Sequence, residues 1–238
     1  MSGEVWQLWS YLGEEPLLWL TLTLIAYLAG DAVSRWTGRA PLANPVLLAV
    51  LILAGILWMS ETPYETYFEG AQFVHFLLGP ATVALAAPLY ANLALVRRAV
   101  LPLLAALLVG SVTAIASVVA IGRAFGLAPE TLLSLAPKSA TAPIAMGVSE
   151  AIGGAPSLTA VLVILTGIFG ALIVTPMFDR LGFADFRARG FALGVAAHGI
   201  GTARAFQVNE TAGSFAGLGM GLNAILTAIL APLAVAFL

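Results

Sequence analysis

Two short segments interrupted by glycine and proline carry polar side chains inside a chain that is otherwise built of long apolar runs. They are residues 135–154 (LAPKSATAPIAMGVSEAIGG) and residues 190–206 (GFALGVAAHGIGTARAF). Irregular backbone at membrane depth is tolerated only where it is held within protein or lines a cavity. Paired interruptions point to the binding site of a transporter, so we expect both segments to border a path for a solute.

The chemistry of the first segment suits a small carboxylate. A carboxylate that leaves water needs amides, hydroxyls or a cation in exchange, and the N-terminus of a half-helix supplies amides and a positive dipole end. Pro137 is expected in the first turn of that helix. Ser139 and Thr141 can cap the break or touch the ligand, and Lys138 adds positive charge. The alternative is that Lys138 snorkels to the interface and the hydroxyls satisfy neighbouring carbonyls.

The second segment offers a histidine beside two glycines. Gly199 and Gly201 let the backbone approach a ligand or turn sharply, and Thr202 adds a hydroxyl. His198 can donate a hydrogen bond to a carboxylate, or carry a proton if transport is coupled to protons. Its alternative role is a hydrogen bond that joins two helices. Arg204 is either an anion clamp or a cytoplasmic anchor.

Further candidates for the same site lie elsewhere in the chain. Thr82 follows a Gly-Pro break and is included among the predicted substrate contacts. The prolines of the two breaks, Pro80 and Pro137, are secondary candidates. Glu150 is either an ion ligand or part of an interfacial turn, and Asn223 suits interhelical hydrogen bonding better than binding.

The composition excludes several functional classes. In 238 residues, 61% are hydrophobic and 9% are charged, against roughly a quarter charged in soluble domains, so lipid is the expected solvent. A net charge of -2 without a basic tract excludes nucleic acid as a partner. Because cysteine is absent and only two histidines are present, we expect no metal site, no cofactor and no enzymatic activity.

We predict an all-α polytopic membrane protein, a single integral domain over residues 1–238 with about six to eight membrane segments. Two or three of these segments are expected to be discontinuous or re-entrant. Four uncharged runs reach the roughly 20 residues that a spanning helix needs. They are residues 40–60, 99–122, 151–178 and 211–238. Residues 17–36 form a weaker first span, and residues 70–96 form a span interrupted by proline.

The basic residues predict the orientation. Arginines follow the first span, the interrupted span and the run 151–178, whereas the loop 61–69 holds three acidic residues and no basic residue. The positive-inside rule places the arginines in the cytoplasm and the N-terminus outside. This scheme requires residues 135–154 to begin and end on the outer face.

A fixed offset predicts an internal repeat. Four pairs are each separated by 57 residues: Pro80 and Pro137, Thr82 and Ser139, Gly110 and Gly167, Arg123 and Arg180. A constant offset is typical of duplication. The two copies would cover about residues 40–125 and about residues 129–238, in parallel or inverted orientation.

Four stretches carry a family resemblance: YETYFEGAQFVHFLLGPATVALAAPLY, APKSATAPIAMGVSEAIGG, RGFALGVAAHGIGTARAF and GLGMGLNAILTAILAPL. They resemble the signature blocks of the LrgB/CidB membrane protein family, from about Leu17 to Leu238. The resemblance implies two activities. Bacterial members are described as antiholin-like or holin-like proteins that modulate murein hydrolase export and cell lysis with a small LrgA/CidA-type partner. A plastid relative translocates glycolate and glycerate, and some bacterial pairs are associated with pyruvate uptake.

We interpret the chain as a transporter of small organic acids, similar to glycolate, glycerate or pyruvate, that works by alternating access in the bacterial inner membrane. The alternative is a holin-like or antiholin-like regulator of lysis that acts with an LrgA/CidA-type partner. The glycine-rich residues 213–221 are typical of close helix packing or of an oligomer seam, so we also expect a homo-oligomer.

Overall fold

A computed structural model describes residues 15–77, 80, 83–84, 90 and 93–235, and only the backbone of Pro41, His75 and Val235. These residues are helical almost throughout, which confirms the all-α class. The chain divides into two compact units, Met1–Ala84 and Leu85–Leu238. The boundary falls inside the predicted first repeat, and the single domain and the repeat both stay predictions.

The first unit is built around one long helix. Helix α1 (Pro16–Trp36) packs against α2 (Pro45–Met59) and α3 (Tyr64–Phe76), and a 3-10 turn (Pro41–Ala43) precedes α2. Trp19 is fully buried, and its ring meets Tyr67 edge to face with 5.9 Å between centroids. At Gly70 a Cβ atom would overlap the backbone of α1, so glycine is needed for α3 to cross so closely.

Among its described residues the second unit contains four helices of more than 20 residues and three shorter ones. They are α4 (Leu93–Arg98), α5 (Val100–Ala124), α6 (Pro129–Leu135), α7 (Ala142–Ile152), α8 (Pro156–Arg180), α9 (Phe186–Val208) and α10 (Glu210–Val235). The N-terminal parts of α5 and α10 share a cluster that includes Leu103 and Phe215, and their C-terminal parts share another that includes Ile115 and Ala231. These two helices therefore run parallel. Helix α8 runs the opposite way, since Val174 near its end clusters with Ala212 near the start of α10.

Four described helices are long and apolar enough to cross a membrane: α1, α5, α8 and α10. Helices α2 and α7 are apolar but shorter. The chain is therefore a multi-pass membrane protein. Spans were correctly predicted in the uncharged runs 99–122, 151–178 and 211–238 and in the weaker run 17–36, which contains Asp31 and Arg35. The total of six to eight segments and the outside position of the N-terminus stay predictions.

Two predicted span boundaries are wrong. In the run 40–60 the α-helix begins only at Pro45, because the Asn44 side chain accepts hydrogen bonds from the amides of Val46 and Leu47 and so caps the helix there. The resulting 15-residue helix is shorter than a perpendicular span requires. The run 151–178 begins its helix at Pro156, because Gly153 adopts a left-handed conformation (φ +88°) that ends the preceding helix. Most of the run 70–96 beyond residue 77 lies outside the described residues.

Candidate functional site

Residues 125–155 form a segment that starts at the C-terminal end of α5, extends to the middle of the long helices and then runs back towards the end at which it started. Leu132 of α6 lies against Gly122 near the end of α5. The Ser134 hydroxyl accepts a hydrogen bond of 2.8 Å from the Ala155 amide, which brings the start of α8 back beside α6. The turn between α6 and α7 therefore forms the tip of a reversal. Its re-entry with respect to a bilayer stays a prediction.

The tip of this first reversal carries Lys138 and Ser139. Pro137 is buried in the turn, so the prediction that it occupies the first turn of a helix is wrong. Pro143 takes that place at the start of α7, where a missing amide hydrogen has no cost. Thr141 is the N-cap residue of α7 but makes no side-chain cap bond. The Lys138 Nζ atom lies 3.4 Å from the Ser139 hydroxyl, to which it donates.

A buried polar network ties this tip to two spanning helices. Asn223 of α10 donates from Nδ2 to the Ser139 carbonyl at 3.0 Å, and its Oδ1 accepts from the Ser111 hydroxyl of α5 at 2.6 Å. The Thr227 hydroxyl also donates to Oδ1, at 3.3 Å. These contacts assign Asn223 the interhelical bonding that its sequence setting favoured. They also place Ser139 level with the middle of α5 and of α10.

Helix α9 is interrupted at its centre. Ala197 (φ −131°, ψ 21°) and His198 (φ 42°, ψ −136°) leave the helical region, and a positive φ is unusual for a residue with a Cβ atom. The half before the break runs parallel to α10, since Gly190 lies against Ala212 and Gly194 against Ala216.

The half of α9 after the break runs antiparallel to α10. Thr202 contacts Met220, and Phe206 contacts Gly213. The two halves of α9 therefore double back on each other, and Gly201 approaches the Leu193 carbonyl across the reversal. The close helix packing predicted for residues 213–221 is present here within the chain.

The tip of this second reversal, Ala197 and His198, packs against α8. The His198 Nε2 atom lies 2.8 Å from the Val163 carbonyl, which can only accept, so Nε2 carries a proton and donates. Gly167 leaves room for the ring, because a Cβ atom there would lie 2.6 Å from His198 Cε1. Gly170 in the same way accommodates Ala197. Two glycines one turn apart thus form a notch for the tip.

Both tips reach the same part of the molecule. Ala140, next to Ser139, clusters with Val163, whose carbonyl binds His198. On α10, Met220 faces the second tip and Asn223 faces the first. Three residues of helix separate these two contacts, a rise of about 4.5 Å. The two interruptions predicted from the sequence therefore meet near the middle of the helix layer.

A cavity of about 1240 Å³ lies beside the first tip. It runs between α5 and α8, and Phe191, Val195 and Phe215 of α9 and α10 form part of its wall. Lys138 and Ser139 line it, together with Gly110 and Ala114 in the central part of α5. The cavity thus connects with the tip that carries the cation.

Charged residues from the helix ends line the other part of this cavity. Arg98, which ends α4, lies there with Asp185, Arg187 and Arg189 around the start of α9. Hydrogen bonds from the Arg187 side chain hold the pKa of the Asp185 carboxyl below its usual range, so this carboxylate stays ionised at neutral pH. Arg189 pairs with Asp179. With Lys138, cations outnumber anions along the wall, which favours an anionic occupant.

The remaining predicted contacts lie away from this cavity wall. His198, Thr202 and Arg204 are buried: the Thr202 hydroxyl donates to the His198 carbonyl at 2.9 Å, and the Arg204 guanidinium donates to Gln207 at 3.4 Å. Gly199 is exposed and Gly201 is buried beside the break. Their role in binding stays a prediction.

The weaker candidates are less connected to the cavity. Glu150 is exposed near the end of α7, which fits the interfacial alternative. Pro80 is exposed, and Thr82 lies outside the described residues.

Two features of this site were not taken from the sequence. Arg98, Arg187 and Arg189 were interpreted only as markers of orientation, and their common cavity depends on tertiary packing. Lys138 is the only lysine of the chain. A count of residue types in the sequence would have singled it out.

The fold and the site define a class: a multi-pass helical membrane protein with two chain reversals that meet between its long helices. The model of the LrgB-like family matches residues 23–237, and the chain belongs to this family. The resemblance found in the sequence is thereby confirmed.

Relatives of known name cover almost the whole chain. The uncharacterised protein YwbG of Bacillus subtilis is 38% identical over 220 residues, which are 92% of this chain and 97% of that protein. The holin-like protein CidB of Staphylococcus epidermidis is 29% identical over 218 residues, 92% of this chain and 95% of that protein. No solved structure matches the chain. The name holin-like supports the lysis-regulator alternative more directly than organic-acid transport, and none of these names mentions a solute.

Proposed function

We propose that this chain translocates small organic acids, of the size of glycolate, glycerate or pyruvate, across the inner membrane by alternating access. The observation that carries the proposal is the position of Lys138. The only lysine of the chain lines a cavity at a break in the backbone, level with the middle of the spanning helices. An ionisable group at such a depth is costly and is a functional-site candidate by default.

The surroundings of Lys138 support an anionic solute. The amine and the Ser139 hydroxyl can bind a carboxylate together. The arginines at the other part of the cavity raise the local concentration of anions. Alternating access requires one element to move against another, and we assign that movement to the second reversal, which meets the first near Val163.

Uptake into proteoliposomes tests this proposal. Purified protein is reconstituted with radiolabelled glycolate, glycerate or pyruvate outside, and wild type is compared with Lys138→Gln and Lys138→Arg. We expect Lys138→Gln to lower uptake at least tenfold and Lys138→Arg to retain part of it, because arginine keeps the charge. Ser117→Ala serves as the control, because in the part of the chain that the structure describes the Ser117 hydroxyl bonds within its own helix. Equal uptake by wild type and Lys138→Gln contradicts the proposal.

A second candidate is a holin-like regulator of lysis that acts through assembly with other copies or with a small partner. The names of the staphylococcal relatives favour it. This function depends on outward-facing packing surfaces and not on the cavity. Gly221 of α10 offers such a surface, because it is exposed and a Cβ atom added there would have open space around it among the described residues.

Two substitutions separate the candidates. Thr202→Val removes a hydroxyl at the buried break, and Gly221→Leu enlarges the exposed face of α10. A transporter loses uptake with Thr202→Val and keeps it with Gly221→Leu. A regulator that acts by assembly shows the reverse sensitivity, measured as the mass of the complex in mild detergent and as the rate of induced lysis in cells.

A further inference from the structure

The cavity beside Lys138 is much larger than a two-carbon or three-carbon acid requires. Its volume is about 1240 Å³, and it follows α5 from Ala99 to Ala114. That stretch of the chain corresponds to about 22 Å of helix. A glycolate ion bound to the Lys138 amine would leave most of this length unfilled.

The wall between Lys138 and the arginines is apolar. Aromatic and aliphatic side chains from several helices form it, among them Leu103, Phe169, Leu172, Ile173, Phe191 and Val195. Small residues of α5, Ala106 and Gly110, widen the space between them. An extended hydrocarbon chain that enters from water gains free energy by burial against such a wall, whereas the hydroxyl groups of glycerate would lose hydration there.

We propose that this cavity binds a single-chain carboxylate with an extended apolar tail, with its carboxylate at Lys138 and Ser139 and its tail along the wall. The charge of the amine complements the carboxylate. A phospholipid fits less well, because its headgroup stays at the membrane surface while Lys138 lies level with the helix middles. This inference rests on the proposed function only in using Lys138 as the anion contact.

Protection of Lys138 from acetylation tests the proposal directly, since no other side chain of the protein carries an amine. The full chain is placed in phosphatidylcholine nanodiscs and treated briefly with acetic anhydride, and modification at Lys138 is measured by mass spectrometry. Acetate, butyrate, hexanoate and octanoate are titrated as protecting ligands, with hexanol as the uncharged control. We expect the half-protecting concentration to fall about fourfold per added methylene, the ratio that full burial of a methylene implies. Hexanol should protect far less than hexanoate.

A matched pair of variants separates the cavity from partition into lipid. Ala105 and Ala106 are both exposed, but only Ala106 lines the cavity. Ala106→Phe therefore places a ring in the cavity, whereas Ala105→Phe adds the same ring outside it. We expect Ala106→Phe to reduce the ratio of acetate to hexanoate half-protecting concentrations at least fivefold, and Ala105→Phe to leave it unchanged.

The outcomes distinguish this inference from the proposed function. Equal protection by acetate and hexanoate, or equal ratios in the two alanine variants, overturns the apolar-tail proposal while glycolate uptake can still stand. Protection by hexanol as strong as that by hexanoate also overturns it, because the carboxylate would then contribute nothing. If no carboxylate protects Lys138 and none is taken up, both proposals fail.

Discussion

The buried hydrogen bonds of Asn223 lead to a quantitative prediction. Asn223→Ala removes the acceptor of the Ser111 hydroxyl, 2.6 Å away, and the donor to the Ser139 carbonyl, 3.0 Å away. A buried polar group without a partner costs about 1–3 kcal/mol, whereas hydrogen bonds between membrane helices average about 0.6 kcal/mol. Asn223→Ala also removes the longer bond from Thr227 within α10. For the two bonds that join α10 to other elements, we expect the free energy of unfolding to fall by about 1–6 kcal/mol.

Removal of the partner hydroxyl on α5, by Ser111→Ala, should lower the free energy of unfolding by less. Ser111→Ala leaves Asn223 with the Thr227 hydroxyl at 3.3 Å, so we expect a loss of about 0.5–1.5 kcal/mol. Because the two residues share one hydrogen bond, the double variant should lose less than the sum of the single losses, with a coupling of about 0.5–2 kcal/mol. Unfolding of the purified protein in detergent, followed by circular dichroism, measures all four states of this cycle.

Ser117→Ala supplies the control on the same helix. Among the described residues the Ser117 hydroxyl donates to the Ala114 carbonyl of its own helix, at 3.1 Å, and to no other group, so its removal should change stability by less than about 0.5 kcal/mol. Strictly additive losses at Ser111 and Asn223 would refute the shared bond. A loss at Asn223 no greater than at Ser117 would refute the larger argument that this network holds the first tip.

Three other predictions follow from the backbone and the charges. His198→Gly should be more stable than His198→Ala by about 1 kcal/mol or more in the same unfolding assay, because glycine adopts φ +42° without strain, and equal stabilities would contradict this. Gly194→Ala should lower the free energy of unfolding by about 1–3 kcal/mol, because the added methyl group would push α9 away from α10. Gly221→Ala should raise it by up to about 1 kcal/mol, because open space surrounds this position among the described residues. Similar effects of the two substitutions would contradict this prediction. The Asp185 carboxylate, whose pKa is lowered by Arg187, stabilises the folded chain above the ordinary aspartate pKa, and this contribution is lost as the pH falls through the lower folded-state pKa. Wild type and Asp185→Asn should accordingly differ by less than about 1 kcal/mol at pH 7 and converge once the pH falls below the lowered folded-state pKa of Asp185, and a difference that stays constant throughout the acid range would rule this out.

Local features of the sequence were enough to locate the long helices and the two interruptions. Three of the four charge-free runs of more than 20 residues contain spanning helices, because lipid offers no partner for unpaired amides, whereas the run 40–60 contains only the 15-residue α2. The glycines beside His198 predicted a break, but the residues that leave the helical region are Ala197 and His198 and not Gly199 or Gly201. Helix starts were less accurate: Asn44 and Gly153 set them by side-chain capping and by a left-handed turn within otherwise apolar runs.

The composition and order of residues thus determined by themselves that this is an apolar, all-helical membrane chain of the LrgB family with polar breaks at Lys138 and His198. Only the tertiary structure decided that the two breaks meet beside Val163, that Asn223 binds the first of them, and that distant arginines share a cavity with Lys138. The physical reason is that hydropathy and backbone preference act over a few residues. The direction in which a side chain points depends on which helices pack together, and small residues such as Gly167 and Gly194 set that packing through contacts far along the chain.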